Sequence, residues 1–292
     1  MQEHQYTYSF IIPHHNSPEL LNRCLDSIPQ REDIQIIVVD DNSAEDKRPC
    51  IKRDDVEVIY IDAEHTKGAG RARNYGLKAA KGKWLLFADC DDYYYDGFLE
   101  VLDQYKDKDI EVLYFNYYFI DGIDKTIIQD NNLQKTILSY DGSKEKTDYI
   151  KFRNNTPWTK MARRDFVKKY KMYFEEVVNG NDILFSLFIG TKTTHFKICP
   201  SRLYFYIRNK ESIGTKCQTY QDIMCRIIHI FKYNYLYKIL GHNEYRENVL
   251  LELARLLRYS NNKTRYNVLI DLMKNLFYIF NKRKEWYYVL NE

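Results

Sequence analysis

Short apolar runs alternate with amphipathic stretches over the first third of the chain. The runs have the length of buried strands and cover residues 8–12, 35–39, 56–61 and 84–88. Apolar side chains recur at three- and four-residue spacing from Leu20 to Ile28, and a second helical stretch runs from Gly70 to about Ala80. This order of elements predicts a mostly parallel α/β sheet covered by helices.

The pattern changes at about residue 220. Before that point it predicts helices over residues 97–105 and 144–153, and strands over residues 110–120, 192–200 and 203–207. After it, three helical stretches cover residues 220–240, 243–259 and 264–280. We therefore divide the chain into an α/β domain, residues 1–215, and a helical C-terminal extension, residues 216–292.

Composition and charge narrow the class of protein. Apolar residues make up 45% of the chain and charged residues 29%, as in a globular protein. The net charge of +3 is small, but residues 219–292 carry 12 Lys and Arg against 7 Asp and Glu. A basic tail indicates either an anionic partner, such as membrane headgroups, or a solvated helical face. We expect no nucleic-acid partner.

Six cysteines, at positions 24, 50, 90, 199, 217 and 225, form neither a zinc pattern nor a disulfide framework. The first residues lack a basic region followed by an apolar run, and no uninterrupted apolar segment of 18 residues occurs. We therefore expect a cytoplasmic protein with reduced cysteines and no membrane span.

An acidic cluster follows the predicted strand at residues 84–88. Asp89, Asp91 and Asp92 place three carboxylates within four residues, and the strand at 35–39 also ends in two aspartates. Carboxylates this close repel one another, so a divalent cation with oxygen ligands would compensate them. In an open α/β sheet, ligands bind beyond the carboxyl ends of the strands. The alternative is a surface turn whose aspartates cap the next helix.

Two further segments carry candidate chemistry. Gly68 and Gly70 start a helix but lack the third glycine of a dinucleotide fingerprint. The arginines that follow, Arg71 and Arg73, suit a diphosphate or a nucleobase carbonyl at the same sheet edge, although arginines on a solvated helix face would look the same. Asp182 stands at the first turn of an apolar helix, either as a cap or as a base.

Seven segments in order resemble the family 2 glycosyltransferases, which are inverting, nucleotide-sugar-dependent enzymes of the GT-A fold. The segments are Phe10–Asn16, Val38–Ser43, Gly70–Gly76, Leu86–Asp92, Trp158–Asp165, the Gly-Asn-Asp182 sequence and Tyr206–Ser212. The resemblance covers residues 8 to 215 and implies a GT-A catalytic domain with a Rossmann-like nucleotide-binding sheet.

The resemblance implies roles for the nucleotide-binding residues. Asp41 corresponds to the residue that accepts a hydrogen bond from the nucleobase, typically uracil, and Pro13 lines the same pocket. Arg73 corresponds to a contact with the base or the diphosphate. Asp89 and Asp91 match the family's Asp-x-Asp motif, in which the first carboxylate reaches the ribose and the second binds Mn²⁺ or Mg²⁺.

The later segments are assigned in the same way. Asp182 matches the catalytic base. Trp158 and Lys160 are implied to border the sugar sites, and Arg208 with Ser212 to close over the diphosphate. The chain is thereby expected to be a metal-dependent hexosyl- or N-acetylhexosaminyltransferase that uses a nucleotide-sugar, most simply a UDP-sugar, in bacterial polysaccharide assembly.

The sequence departs from the family pattern at three positions. Asn181 stands where a Glu commonly precedes the base, His15 where an aromatic residue is frequent, and Gly214 where a Thr is usual. The acceptor is expected to be a saccharide or a lipid-linked saccharide. The basic, aromatic segment from Arg265 to Trp286 is assigned either to the inner membrane face or to packing, including a homodimer.

Two alternatives keep the fold and change the function. A nucleotidyltransferase would need a Gly-rich, basic loop after the first strand, where this chain has Pro13 and two histidines. A binding or assembly protein would retain the fold without catalysis, and the presence of Asp89, Asp91 and Asp182 argues against it.

Overall fold

A computed structural model of the chain describes residues 5–61, 68–177, 179–208, 220–258 and 262–281. By contacts it divides into two compact units, one made of residues 1–177 and 181–209 and the other of residues 178–180 and 210–292. The predicted boundary at residue 215 lies outside the described residues, as do Ser212 and Gly214.

Among the described residues of the first unit, eight strands form a single sheet. They are β1 (Tyr6–His14), β2 (Ile34–Asp41), β3 (Val56–Ile61), β4 (Gly82–Phe87), β5 (Tyr93–Tyr94), β6 (Val112–Asp121), β7 (Lys160–Arg163) and β8 (Phe196–Arg208). The strand order is β3-β2-β1-β4-β7-β6-β8-β5. Strands β7 and β5 run antiparallel to their neighbours, and the other pairs are parallel.

Helices cover this sheet. They are α1 (Pro18–Asp26), α2 (Ala69–Ala79), α3 (Phe98–Asp103), α4 (Asn132–Leu138), α5 (Lys144–Arg153), α6 (Arg164–Lys169) and α7 (Ile183–Lys192). Every residue of β2 is buried, as expected for a parallel strand covered on both faces. The core on one face is aromatic: Phe10 meets the rings of Tyr94 and Phe98 edge-on, at centroid distances of 5.4 and 5.9 Å.

The sheet confirms the predicted α/β class. It contains two strands that the sequence pattern did not predict, β5 and β7, and two predicted strand ends are wrong. Strand β1 continues through Pro13, which pairs in register with Val39 near the strand's end. The two strands expected between residues 192 and 207 are one strand, β8, because a register shift opposite Asn116 lets the chain pass Pro200 without leaving the sheet.

The second unit is helical, as predicted. Its helices are α8 (Tyr220–Ile239), α9 (Val249–Arg258) and α10 (Asn262–Asn281). Asn234 on α8 exchanges two hydrogen bonds with the backbone of Glu247, and Arg265 on α10 donates to the carbonyl oxygens of Leu257 and Arg258. These contacts satisfy backbone groups at helix ends. No described helix is long and apolar enough to cross a bilayer.

Candidate active site

The carboxyl ends of β1, β2 and β4 meet at one edge of the sheet, since the three strands are parallel neighbours. A buried polar network joins the first two ends. Ser17 N–H donates to His14 Nε2 (3.1 Å), so the hydrogen lies on Nδ1, which donates to Asp40 Oδ1 (2.7 Å). Ser43 Oγ donates to the same oxygen (2.5 Å). The network fixes the two loops that frame the edge.

The two adjacent histidines, which were not expected to bind a metal, each have a protein partner. His14 is buried on Asp40, and His15 Nδ1 lies 2.9 Å from the carbonyl oxygen of Asp41. No group of three or more His, Cys, Asp or Glu side chains able to hold a metal occurs in the part of the chain that the structure describes.

Asp41 is the last residue of β2, and its side chain is buried. Among the described residues, one of its two carboxylate oxygens accepts a hydrogen bond. Its Oδ2 accepts a hydrogen bond from Gly68 N–H (2.6 Å), at the start of α2. Its Oδ1 is buried without a hydrogen-bond donor among the described residues. A buried carboxylate oxygen without a donor is costly, so this atom is a ready acceptor for an N–H group of a ligand. Pro13 is buried one strand away.

Arg73 lies at the centre of the site. Helix α2 buries its side chain to 4% exposure, with Nη1 donating to Asn181 Oδ1 (2.7 Å) and Nη2 paired with Asp89. Its guanidinium also lies over the Phe174 ring, 5.4 Å from the centroid. Arg73 thus joins the acidic loop after β4 to the segment before α7. The other predicted arginine, Arg71, lies over the ring of Tyr75.

The acidic cluster separates into two kinds of carboxylate. Asp89 and Asp91 are partly exposed, whereas Asp92 is fully buried. Asp92 accepts hydrogen bonds from Ile207 N–H (2.7 Å) and Tyr204 Oη (3.0 Å). Burial, followed by the charges of Asp91 and Asp89, raises its pKa well above the usual value. Asp92 therefore anchors β8 to the loop, whereas Asp89 and Asp91 stay partly exposed.

Asp182 is the residue that precedes α7, and its side chain makes no capping hydrogen bond. Burial raises its pKa, while Arg73 lowers it, Asp89 raises it and Lys160 lowers it, in decreasing order of effect. Asp182 is thus within electrostatic range of three other predicted site residues. A carboxyl group with a raised pKa, not used as a cap, is suited to accept a proton.

Lys160 and Trp158, the two residues implied to border the sugar sites, are both buried. Lys160 is 1% exposed, and its Nζ donates to the carbonyl oxygens of Asn154 (2.8 Å) and Thr156 (2.5 Å) and lies 3.4 Å from Ser186 Oγ. Burial lowers its pKa to about 7. Trp158 is 4% exposed. Its ring stacks on the rings of Tyr204 and Tyr206 in β8. Contacts of these two side chains with a sugar stay a prediction. In the structure, Lys160 binds the segment before it and Trp158 packs on β8.

Arg208 lies at the end of β8, on the same side of the sheet as the other strand ends. Its Nη2 pairs with Asp121 at the end of β6 (2.5 Å), with the arginine side chain about half exposed. Its contact with a diphosphate stays a prediction. Its predicted companion, Ser212, lies outside the described residues.

Gly70 and Asn74 hold the site together, and the sequence analysis gave neither residue this role. A Cβ on Gly70 would lie 2.0 Å from the carbonyl oxygen of Glu175 and 2.8 Å from Asn181 Cβ, so α2 touches the segment before Asp182 directly. One turn further on, the Asn74 amide exchanges two hydrogen bonds with the backbone of Phe174 (2.8 and 2.9 Å). A glycine inside a helical pattern was the available signal of such a close approach.

The described residues form a mostly parallel α/β sheet that has carboxylates and a buried arginine at its carboxyl edge, where such sheets bind ligands. The family described as Glycosyl transferase family 2 matches residues 9–171, more than half of the chain. The chain belongs to this family and has its GT-A fold, as the sequence motifs predicted.

Individual relatives are similar over part of their length. The uncharacterized glycosyltransferase EpsJ of Bacillus subtilis is 26% identical over 219 residues, which cover 70% of this chain and 62% of EpsJ. The Escherichia coli UDP-Glc:alpha-D-GlcNAc-diphosphoundecaprenol beta-1,3-glucosyltransferase WfaP is 32% identical over 118 residues, covering 39% of this chain and 46% of WfaP. The chain thus spans less than two thirds of either relative.

A solved structure with the same fold is that of S. aureus TarS 1-349 in complex with UDP-GlcNAc. It has a TM-score of 0.60 and 18% sequence identity, and the alignment covers 98% of this chain and 90% of that chain. At this identity the likeness concerns the fold.

Proposed function

We propose that this protein transfers a sugar from a nucleotide-sugar, a UDP-sugar in the simplest case, to an acceptor hydroxyl with inversion at the anomeric carbon. The proposal rests on the Arg73–Asp89 ion pair within electrostatic range of Asp182 at one sheet edge. At the same edge, a buried oxygen of Asp41 has no donor among the described residues. Relatives named as glucosyltransferases, and the TarS complex with UDP-GlcNAc, support this choice of donor.

The nucleobase would occupy the edge of β2. Asp41 Oδ1 offers an acceptor without a donor among the described residues, and the uracil ring carries an N–H group of matching polarity. Gly68 N–H fixes the other carboxylate oxygen, so the acceptor atom is held in place before the ligand binds. Such pre-organisation reduces the ordering cost of binding.

A divalent cation fits the acidic loop. Asp89 and Asp91 are partly exposed oxygen donors, which Mn²⁺ and Mg²⁺ prefer, while Asp92 is buried and already bonded. Two carboxylates do not complete a coordination sphere, so the diphosphate oxygens of the donor would supply further ligands. When bound, the cation stabilises negative charge on the departing nucleoside diphosphate.

Asp182 would act as the base. As the acceptor oxygen forms its bond to the anomeric carbon, its proton passes to the Asp182 carboxylate, and the bond between that carbon and the diphosphate oxygen breaks on the opposite face. The diphosphate leaves with the bonding electron pair. Arg73 favours the ionised form of Asp182, since its charge lowers the pKa that burial raises.

The setting proposed is bacterial glycan assembly, with a saccharide or lipid-linked saccharide as acceptor. WfaP is named for an acceptor that carries diphosphoundecaprenol, which supports the lipid-linked choice. Testing both hexose and N-acetylhexosamine donors, as in the next paragraph, decides which kind of sugar is transferred.

The test is release of nucleoside diphosphate from a panel of UDP-, GDP- and dTDP-sugars with and without Mn²⁺. We expect metal-dependent release from one donor, lost in Asp91→Ala, while Asp96→Ala, an exposed acid in the loop that follows β5, serves as the control. Release that needs no metal or survives Asp91→Ala would contradict the metal assignment. Failure to bind any nucleotide with Mn²⁺ in calorimetry would favour a non-catalytic binding protein.

A further inference from the structure

A groove in the first unit is lined by residues of α2, β4 and α6 and of the segment that follows α6. Of the described residues that line it, Asn74 also takes part in the contacts of the candidate active site. The groove has a volume of about 490 Å³, within the usual range for ligand pockets. Leu77, Val167 and Met172 form its apolar floor, and Leu85 and the ring of Tyr173 also line it. The buried part of the groove is therefore apolar.

Cations surround this apolar floor. The side chains of Lys78, Arg164, Lys168 and Lys171 line the groove, against a single acid, Glu176. Glu176 already accepts a hydrogen bond from the Asn74 amide (3.2 Å). The three lysines are exposed and form no ion pair with any residue that the structure describes. The described lining thus carries a net positive charge, with four cations against one acid.

Tyrosines add an amphipathic element at the same rim. Tyr173 is 43% exposed, and Tyr75, which lies under the Lys78 ammonium at 5.2 Å, is 37% exposed. Rings with an apolar body and a polar tip, next to lysines, are typical of surfaces that meet a membrane at headgroup level. A soluble polar anion would use the cations and leave the apolar floor and the rings uncovered.

We propose that this groove binds an anionic phospholipid of a membrane surface, with the phosphate between Lys168 and Lys171 and an acyl-chain segment on the floor formed by Leu77, Val167 and Met172. Charge complementarity selects an anionic headgroup, and the apolar floor selects a chain. The proposal does not depend on the proposed function. It places the membrane contact on the α/β domain, in addition to any contact made by the basic C-terminal segment.

The groove also adjoins the site through one short segment. Met172, Tyr173 and Glu176 line the groove. Between them, Phe174 is bonded to Asn74, and Glu175 N–H donates to the carbonyl oxygen of Asn181 (3.1 Å). A lipid held here would lie next to the segment that leads to Asp182. The candidate active site would thereby be brought close to the bilayer.

The test is cosedimentation of the full chain with vesicles of phosphatidylcholine alone and of phosphatidylcholine mixed with phosphatidylglycerol. We expect binding to the anionic vesicles only, reduced at least about 20-fold in Lys168→Glu/Lys171→Glu, since each surface cation contributes about fivefold. The control Lys52→Glu/Lys108→Glu changes the net charge equally at exposed lysines elsewhere and should alter binding about threefold or less.

Position is tested with Tyr173→Trp and brominated phosphatidylglycerol. Insertion of the chain at the groove predicts quenching of this tryptophan beyond that of the wild-type protein, which already contains three tryptophans. No binding to anionic vesicles, equal losses in the two double variants, or no added quenching would each overturn the proposal.

Discussion

Replacing Gly70 by alanine tests how the active site is assembled. The added Cβ would lie 2.0 Å from the Glu175 carbonyl oxygen, whereas Cβ atoms essentially never approach closer than 3.0 Å. The segment that leads to Asp182 must therefore move by about 1 Å. A misplacement of this size at a catalytic group lowers turnover about 100-fold.

The stability change of the same variant is expected to be small. Overpacking costs about 1–3 kcal/mol, and the better helix propensity of alanine returns about 1 kcal/mol. Gly76→Ala on the same helix is the matched control, because its Cβ would lie 2.3 Å from Ile11 Cγ2, in the core beneath the sheet rather than at the site.

The assay is donor-dependent release of nucleoside diphosphate below the unfolding midpoints of both variants. We expect Gly70→Ala to lose about 100-fold in turnover and Gly76→Ala to lose about threefold or less, with similar unfolding free energies. Equal turnover in the two variants would refute the role of this contact, and so would Gly70→Ala turnover at the wild-type level.

Two further changes probe the edges of the site. Asp41→Asn removes a charged acceptor and should weaken UDP binding about 10- to 100-fold in calorimetry. The control Asp46→Asn changes an exposed acid nearby and should leave the affinity unchanged. Equal affinities of the two variants would contradict the nucleobase contact. Lys160 has a pKa of about 7 when folded and about 10.4 when unfolded, so the unfolded chain binds more protons between these values and stability rises with pH. Lys160→Met should remove a slope of up to about 1.4 kcal/mol per pH unit from the free energy of unfolding measured with urea. An unchanged slope would contradict the lowered pKa of Lys160.

The sequence was enough to predict the parallel half of the sheet and the acids at its edge. Four apolar runs of strand length, separated by helical periodicity, correspond to β1 to β4, and chemistry at the carboxyl edge follows from the parallel arrangement. The motifs in order were also enough to predict the family that the comparison then showed.

Contacts between distant parts of the chain could not be predicted. Asp92 looks like its neighbours in sequence, but it is buried by Tyr204 and Ile207, which lie 112 and 115 residues away. Arg73 meets Asn181 across 108 residues. The family pattern marks Asn181 only as a missing carboxylate, whereas its amide oxygen accepts a hydrogen bond from Arg73.

Strand β7 shows a further limit of pattern reasoning. It has four residues, runs antiparallel between β4 and β6, and contains the buried Lys160. A strand this short with a lysine at a buried position has no alternating pattern to detect. Its position depends on the hydrogen bonds that Lys160 makes to Asn154 and Thr156.

The most direct test of the central claim is a comparison of wild type and Asp182→Asn with the donor that supports release. We predict unchanged donor affinity and a loss of turnover of about 100- to 10,000-fold, because the base is gone while the nucleotide contacts remain. The raised pKa of Asp182 further predicts that wild-type activity falls at acidic pH as the carboxylate is protonated. Turnover of Asp182→Asn near the wild-type level, at equal folding stability, would contradict the account.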